Sequence, residues 1–291
     1  MSSGNLTADR RFTYAMMLRR DGDFDAAADV LRQTLELAPE WAEGRFTLAE
    51  VLAEGGRKYD AIEVYEYYLK ADPADSMGAA GKIALLMEKA PETLSAAFIT
   101  RLFDQYAPRF EKALREHLKY KAPEILRAAV DAARPTGTFA RVFDLGCGTG
   151  LAGAVFKDRA AWLGGADLSA AMVKGAEAKG IYDQLVVGDM LAALRETEPC
   201  ELILAADVLT YFGDLAPVFA AVRGKLDGLF AFTVQRCEEG FALGPEQRFS
   251  HSRAYVEKAA ANAGFKVLTL EDASSRQEKG KDVPGLIAVL S

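Results

Sequence analysis

After Pro135-Thr136-Gly137 the sequence alternates short apolar runs with amphipathic stretches as far as residue 290. Strands are expected over 139–145, 161–167, 185–187, 201–207, 228–235, 266–271 and 285–290, and helices over 150–158, 169–179, 215–226 and 252–263. Such alternation builds βαβ units, and hence an α/β, doubly wound, mostly parallel seven-stranded sheet. The last two strands are joined by polar residues without a helix, so they are expected to pair antiparallel at one edge. Ligands of such sheets bind beyond the carboxyl ends of the strands, which makes the residues ending each strand the candidates for chemistry.

The first strand ends in Val142-Phe143-Asp144-Leu145-Gly146-Cys147-Gly148-Thr149-Gly150 and leads directly into a helix. A dinucleotide loop reads GxGxxG, with a pyrophosphate on the helix N-terminus. Here the glycines stand at 146, 148 and 150, and Asp144 precedes them. An acid beside the loop repels a pyrophosphate and suits a cationic amine. The combination resembles motif I of the class I S-adenosylmethionine-dependent methyltransferases, a Rossmann-like family. The resemblance implies that the backbone of Gly146, Cys147, Gly148, Thr149 and Gly150 approaches the methionyl part of S-adenosylmethionine, with Asp144 helping to hold its ammonium group. The product would be S-adenosylhomocysteine.

Three further acids stand at strand ends. Asp167, followed by Leu168 and Ser169, lies 21 residues after Gly146, where a carboxylate can accept both ribose hydroxyls. Asp189 ends the third strand; in the family an acid there accepts the adenine amino group, and the next residue, here Met190, contacts the ring through its backbone. Asp207 and Val208 end the fourth strand, beside the reacting centre. Any one of these aspartates alone reads equally as a helix N-cap. Four in register with four strand ends are not explained by capping. Met172 fits the adenine face, and the same spacing places it on a core stripe.

Upstream, Leu102-Phe103-Asp104-Gln105-Tyr106-Ala107-Pro108-Arg109-Phe110 resembles the F-D-x-x-A-x-x-aromatic segment that precedes motif I in small class I methyltransferases and covers the cofactor. Tyr106 and Phe110, and more weakly Tyr120, are lid candidates by that resemblance. Aromatic residues on a buried helix face would look the same.

Methyl transfer from a sulfonium needs a base only where the nucleophile carries a proton. The Asn/Asp-Pro-Pro-aromatic motif of amino-methyltransferases is replaced here by Asp207-Val208-Leu209-Thr210, and Cys200 precedes the fourth strand, at the wrong end of the sheet for a nucleophile. The remaining candidates surround Arg248-Phe249-Ser250-His251-Ser252-Arg253-Ala254-Tyr255, expected to lead into the helix after the fifth strand. His251 is the candidate general base, with Tyr211, Tyr255, Arg248 or Arg253 orienting the substrate. A histidine at a helix start with no catalytic role reads identically.

Compared with itself at an offset of 34 residues, the chain aligns Gly22 with Gly56, Ala27 with Ala61, Leu35 with Leu69 and Pro39 with Pro73. Helices are expected over 8–20, 24–37, 42–54 and 59–71, with Ala27 and Ala61 at the closest helix approaches and Leu31 and Tyr65 one turn further on. Length and small/large/Pro positions resemble the tetratricopeptide repeat (TPR), although Arg11 and Arg45 take its Trp position. A third unit begins at 79–86 and departs from the pattern. The repeats either recruit a protein partner or pack against the next domain or a second subunit, as in a homodimer. The division expected is 1–92 for the repeats, 93–137 for a helical linker and lid, and 138–291 for the cofactor-binding domain.

Of 291 residues half are apolar, and the charge is 35 − 42 = −7, which disfavours a nucleic-acid partner. Cys147, Cys200 and Cys237 form neither a disulfide framework nor a zinc-ligand spacing, so no metal is expected. The first residues lack an apolar signal core, and no apolar run approaches the ~20 residues of a membrane span. These features read as a soluble cytoplasmic protein. The sequence reading is a methyltransferase acting on a small molecule in preference to a protein. The alternative is a TPR-type interaction or scaffold protein whose α/β half binds cofactor without being the main activity. Hydride transfer ranks third, because of Asp144 and the loop spacing.

Overall fold

The computed structural model describes residues 2–291. It divides into two compact units, one ending at Pro91 and the other running from Glu92 to Ser291. Among the described residues no helix is long and apolar enough to cross a membrane.

The first unit holds α1 (Leu6–Arg20), α2 (Phe24–Leu37), α3 (Ala42–Glu54), α4 (Lys58–Ala71) and α5 (Ala79–Met87). Asn5 starts α1 by accepting from the Thr7 and Ala8 amides, and Asp23 starts α2 by accepting from Ala26. Helices α2 and α4 each stop two residues before a proline, at Leu37 and Ala71. Ala27, Leu31, Ala61 and Tyr65 are buried in one apolar cluster, as the 34-residue spacing predicts. Phe46 meets Tyr65 and Tyr68 edge-on at 5.2 and 5.5 Å.

The second unit begins with α6 (Ala96–Tyr106), α7 (Phe110–Glu116) and α8 (Ala122–Ala133). It continues with β1 (Phe139–Leu145), α9 (Leu151–Phe156), β2 (Ala160–Asp167), α10 (Ala170–Glu177), β3 (Gln184–Val187), α11 (Met190–Glu196) and β4 (Cys200–Ala205). After these come α12 (Ala216–Arg223), β5 (Leu226–Arg236), β6 (Phe241–Leu243), β7 (Phe249–His251), α13 (Arg253–Asn262) and β8 (Val267–Ala273). The two-residue strands β9 (Gln277–Glu278) and β10 (Lys281–Asp282) precede the last strand, β11 (Gly285–Leu290).

Seven strands run in the order β3-β2-β1-β4-β5-β11-β8. The first five are parallel, and β11 is antiparallel to both β5 and β8. Apolar clusters cover both faces: Phe219, Phe230, Phe232 and Phe265 on one, Leu126, Phe139, Phe156 and Leu202 on the other. Burial on both sides is why the parallel strands read as nearly continuous apolar runs. The chain winds outward from β1 through β2 to β3, then returns to β4 on the other side of β1. The crevice of a doubly wound sheet therefore opens at the carboxyl ends of β1 and β4.

Two features differ from the sequence expectation. The segment before α13 is a hairpin, β6–β7, with β7 parallel to the end of β5 and Ser250 opposite Gln235. Its strands are three residues each, too short for a period-two signal. The polar connection between β8 and β11 carries a second small hairpin, β9–β10, turning through Lys279 and Gly280, both at positive φ. The backbone next to it is tied to the segment after α7: Gln277 donates to the Leu118 carbonyl at 2.6 Å, and Lys121 donates to Ser275 at 2.8 Å.

Candidate active site

A cavity of about 450 Å³ lies over the carboxyl ends of the parallel strands, with α6 and α7 contributing its other wall through Leu102, Phe103, Tyr106, Phe110 and Leu114. Its lining falls into two halves by strand of origin. Gly146, Gly148, Asp167, Leu168, Asp189 and Met190 come from the ends of β1, β2 and β3. Asp207, Val208, Tyr211 and Phe212 come from beyond β4, Arg248 from the turn between β6 and β7, and Arg276 from beyond β8.

The glycine loop is built by close approach. Gly146 has φ +62°, and a Cβ there would sit 2.3 Å from Val208 Cγ2, so only glycine lets the ends of β1 and β4 touch. The Gly148 amide donates to Asp167 Oδ2 at 3.0 Å and the Ser169 amide to Asp167 Oδ1 at 2.9 Å. Burial pushes the Asp167 carboxyl up, against the opposing pull of those two amides. Asp189 lines the cavity and also caps α11, accepting from Ala192 at 2.7 Å, so the functional and capping readings coexist in one residue.

Other residues of the motif support the loop from behind. Cys147 donates its amide to the Ala166 carbonyl and is buried. Thr149 donates its hydroxyl to Glu111 on α7 at 2.8 Å, and Gly150 starts α9 against the Tyr182 ring. Ser169 caps α10 and donates to Asp104 of α6 at 2.6 Å. None of the four lines the cavity, and neither does Asp144. Asp144 Oδ2 accepts from the Tyr182 hydroxyl at 2.7 Å, whereas Oδ1 is buried with no donor. Burial raises its carboxyl to about 7, with the Tyr182 bond working the other way.

Three sequence candidates are displaced. Met172 is buried in the core side of α10 and does not reach the cavity. His251 ends β7 rather than starting a helix, and its side chain is fully buried outside the cavity lining. Its Nε2 faces the Phe212 and Gly213 carbonyls at 2.9 and 3.1 Å, so this nitrogen carries the proton of a neutral ring. Burial lowers its pKa to about 4, so the ring is neutral and a weak base, and it stands outside the cavity where a general base was expected. Tyr255 stacks on His251 and donates to Asp214 Oδ1 at 2.9 Å, also outside the cavity. The hairpin that the sequence did not reveal is the physical cause: it closes over His251 and turns α13 away.

Tyr106, Phe110 and Tyr120 do line the cavity, as does Tyr211. Tyr211 packs edge-on against Phe103 at 5.6 Å, and burial raises its phenol. Its hydroxyl accepts from Arg248 Nη1 at 2.9 Å. Arg248 Nη2 reaches Asp207 Oδ1 at 2.9 Å, and Arg276 Nη1 lies 3.0 Å from Asp207 Oδ2. Burial disfavours the Arg248 cation, and Asp207, Tyr211 and Glu278 together outweigh it, leaving its pKa raised. Gln235 presents its amide oxygen to both guanidiniums, accepting from Arg248 Nε at 2.9 Å and Arg276 Nη1 at 3.1 Å. Asp207 is held at φ +58°, a left-handed conformation, with its amide on Thr233 Oγ1. Sequence reasoning missed Arg276 and Gln235. Nothing local distinguishes an arginine in the polar stretch after β8 from a surface one.

Residues 18–82 match the family model of the tetratricopeptide repeat, and residues 143–229 match that of a methyltransferase domain. No curated protein matches the sequence. Among solved structures, the chain is similar to the 1,6-didemethyltoxoflavin-N1-methyltransferase of Burkholderia thailandensis. That match has 15% identity and a TM-score of 0.53, and covers 69% of this chain and 92% of that one. A S-adenosylmethionine-dependent methyltransferase from Leishmania major matches with 17% identity and a TM-score of 0.50, over 58% of this chain and 71% of that one. The chain thus carries one stretch that matches the tetratricopeptide repeat and another that matches a methyltransferase domain, and its α/β unit has the fold of those S-adenosylmethionine-dependent methyltransferases.

Proposed function

We propose that the unit from Glu92 to Ser291 transfers a methyl group from S-adenosylmethionine to a small-molecule acceptor. The observation that carries the reading is the two-part cavity, with a glycine loop and two strand-end acids in one half and a separate charged wall in the other. Its volume of about 450 Å³ falls within the roughly 300–1,000 Å³ of small-molecule sites. The wall supplied by α6 and α7 favours a small acceptor over a protein side chain.

The residues present fit the cofactor. Asp167 uses one lone pair on each oxygen for a backbone amide, which leaves further lone pairs for two ribose hydroxyls. Asp144 stands behind the glycine loop and outside the cavity lining, so its charge would favour an ammonium group across the loop and not by direct contact. Asp189 and Met190 stand at the β3 end, where the adenine would lie. When bound, the cofactor supplies an electrophilic methyl group. The protein's part is to hold the acceptor in line, an alignment that can contribute about 7–11 kcal/mol, and to exclude water with Tyr106 and Phe110.

Calorimetry tests the reading. S-adenosylhomocysteine is expected to bind and NAD is not; NAD binding without any response to S-adenosylhomocysteine would overturn it.

A second reading assigns the main work to the repeats. A cavity of about 390 Å³ in the first unit is lined by Arg32, Arg45, Arg57 and Lys70 together with Asp60, Glu63 and Glu66, and the Arg45 guanidinium lies over the Tyr67 ring at 4.1 Å. That surface, carrying both signs of charge, favours a polar peptide segment of mixed charge. Capture of such a segment by a protein that does not bind S-adenosylhomocysteine would favour this reading.

A further inference from the structure

We propose that the half of the cavity beyond β4 is a carboxylate-recognition site, so that the methyl acceptor is a small monoacid with an apolar body. The inference rests on the methyltransferase reading for the word acceptor, but the site itself rests on the geometry of Arg248, Arg276, Asp207 and Tyr211.

Two guanidiniums converge on one carboxylate in the cavity wall, and the side chains of Arg276, Asp207 and Arg248 are only 5%, 15% and 18% exposed. Glu278 pairs with Arg276 at 2.6 Å, so the two guanidiniums face two carboxylates, and Arg248 has only a share of Asp207 with no carboxylate of its own. Glu278, the other partner of Arg276, has a side chain 42% exposed and does not line the cavity, so solvent screens much of its contribution. A cation held this far from water is stabilised by an anion that can reach it.

Of the five N–H groups of Arg248, Nε donates to Gln235, one on Nη1 to Tyr211 and one on Nη2 to Asp207. One N–H on each terminal nitrogen is left, matching the two oxygens of a carboxylate. Tyr211 accepts from Arg248, which leaves its own hydroxyl proton to donate as well. Gln235 and Asp207 hold the guanidinium from behind, so little side-chain freedom is lost when the ligand binds.

The surroundings set the rest of the ligand. Leu102, Phe103, Leu114, Leu118 and Phe212 supply apolar walls to the same cavity. Arg248 shares its one carboxylate with Arg276, so a monoanion matches it, whereas a phosphate dianion would add a second negative charge to a poorly solvated wall that Glu246 also lines. A carboxylate also needs no base to become a nucleophile, in keeping with the removal of His251 from the site.

The test uses the full chain and calorimetry, with 3-phenylpropanoate, octanoate, their primary amides and phenyl phosphate as probes, each with and without saturating S-adenosylhomocysteine. The acids are expected to bind at least about tenfold tighter than the amides, the equivalent of one hydrogen bond to a charged group. Arg248→Gln is expected to abolish that difference, with S-adenosylhomocysteine titrated into the same variant to report on the cofactor half. Amides binding as well as acids, tighter binding of phenyl phosphate, or no acid binding to protein that binds S-adenosylhomocysteine overturns the proposal. If Arg248→Gln does not fold, the acid-against-amide comparison in the wild-type chain still decides. Acid binding by protein that ignores S-adenosylhomocysteine would overturn the methyltransferase reading and leave the carboxylate site standing.

Discussion

Asp104 on α6 accepts the hydroxyl proton of Ser169 at 2.6 Å across 65 residues of sequence. Ser169 is also the N-cap of α10 and follows Asp167 by two residues. One bond therefore fastens the aromatic wall of the cavity to the strand end that carries Asp167. A carboxylate at that helix N-terminus gains further from the helix dipole. Asp104→Ala is expected to weaken S-adenosylhomocysteine binding by about 1 kcal/mol or more and to speed hydrogen exchange in α6. Unchanged affinity together with unchanged exchange would show that α6 does not depend on this tie.

Asp167 has two tasks. It accepts the Gly148 and Ser169 amides, and it lines the cofactor half of the cavity. Asp167→Ala is expected to weaken S-adenosylhomocysteine binding by roughly 1.5–3 kcal/mol and also to lower thermal stability, because two amides lose their acceptor. Asp167→Asn keeps an acceptor oxygen and is expected to recover part of the stability. A variant that melts lower but binds with full affinity would make Asp167 purely structural.

Asp144 is expected to make both stability and cofactor affinity depend on pH. Its folded pKa of about 7 is raised from the ordinary 3.8 by burial, so the stability it contributes is present in acid and is lost as pH rises through about 7. Asp144→Asn is expected to remove that loss, so that the variant gains on the wild type between pH 4 and pH 8 in thermal unfolding. An ammonium group across the loop favours the ionised form. Wild-type affinity for S-adenosylhomocysteine is therefore expected to rise with pH over the same range, and the variant's is not. A flat wild-type affinity profile would separate Asp144 from the cofactor.

His251 has the opposite sign. Its folded pKa of about 4 lies below the ordinary 6.5, so its contribution is present above 6.5 and is lost as pH falls through about 4. His251→Gln retains an N–H for the Phe212 and Gly213 carbonyls and cannot become charged. Between pH 6.5 and 4 its thermal stability is expected to fall less steeply than that of the wild type. Equal slopes would mean that the imidazole is already solvated.

Every residue lining the 450 Å³ cavity belongs to the unit from Glu92 to Ser291. A chain beginning at Glu92 is expected to fold and to bind S-adenosylhomocysteine within about tenfold of the full-length affinity, the equivalent of about 1.4 kcal/mol. Insoluble or cofactor-blind protein would instead make the repeats part of the α/β fold.

Much of this architecture was legible before any coordinates. The period of 34 residues placed Ala27, Leu31, Ala61 and Tyr65 in one core, and strand–helix alternation placed Gly146, Asp167, Asp189 and Asp207 at strand ends. These features are local: helical and strand periods, glycine's tolerance of positive φ, and the direction in which a βαβ unit winds all act within a few turns of chain. They determine which residues arrive at the mouth of the sheet.

Which of those residues face the cavity was a tertiary matter. Met172 obeyed the local pattern and went into the core, and the hairpin from Phe241 to His251 buried the one histidine near the strand ends. The same hairpin set Arg248 beside Gln235, while the connection after β8 carried Arg276 onto Asp207. Asp207 and Arg276 are 69 residues apart, and no local energy favours their meeting. The sequence by itself determined the glycine loop, the strand ends and the repeat. The charged wall opposite the loop exists only once the sheet order closes those long loops, because an ion pair between distant segments forms only after the backbone pairing has met the entropy cost of bringing them together.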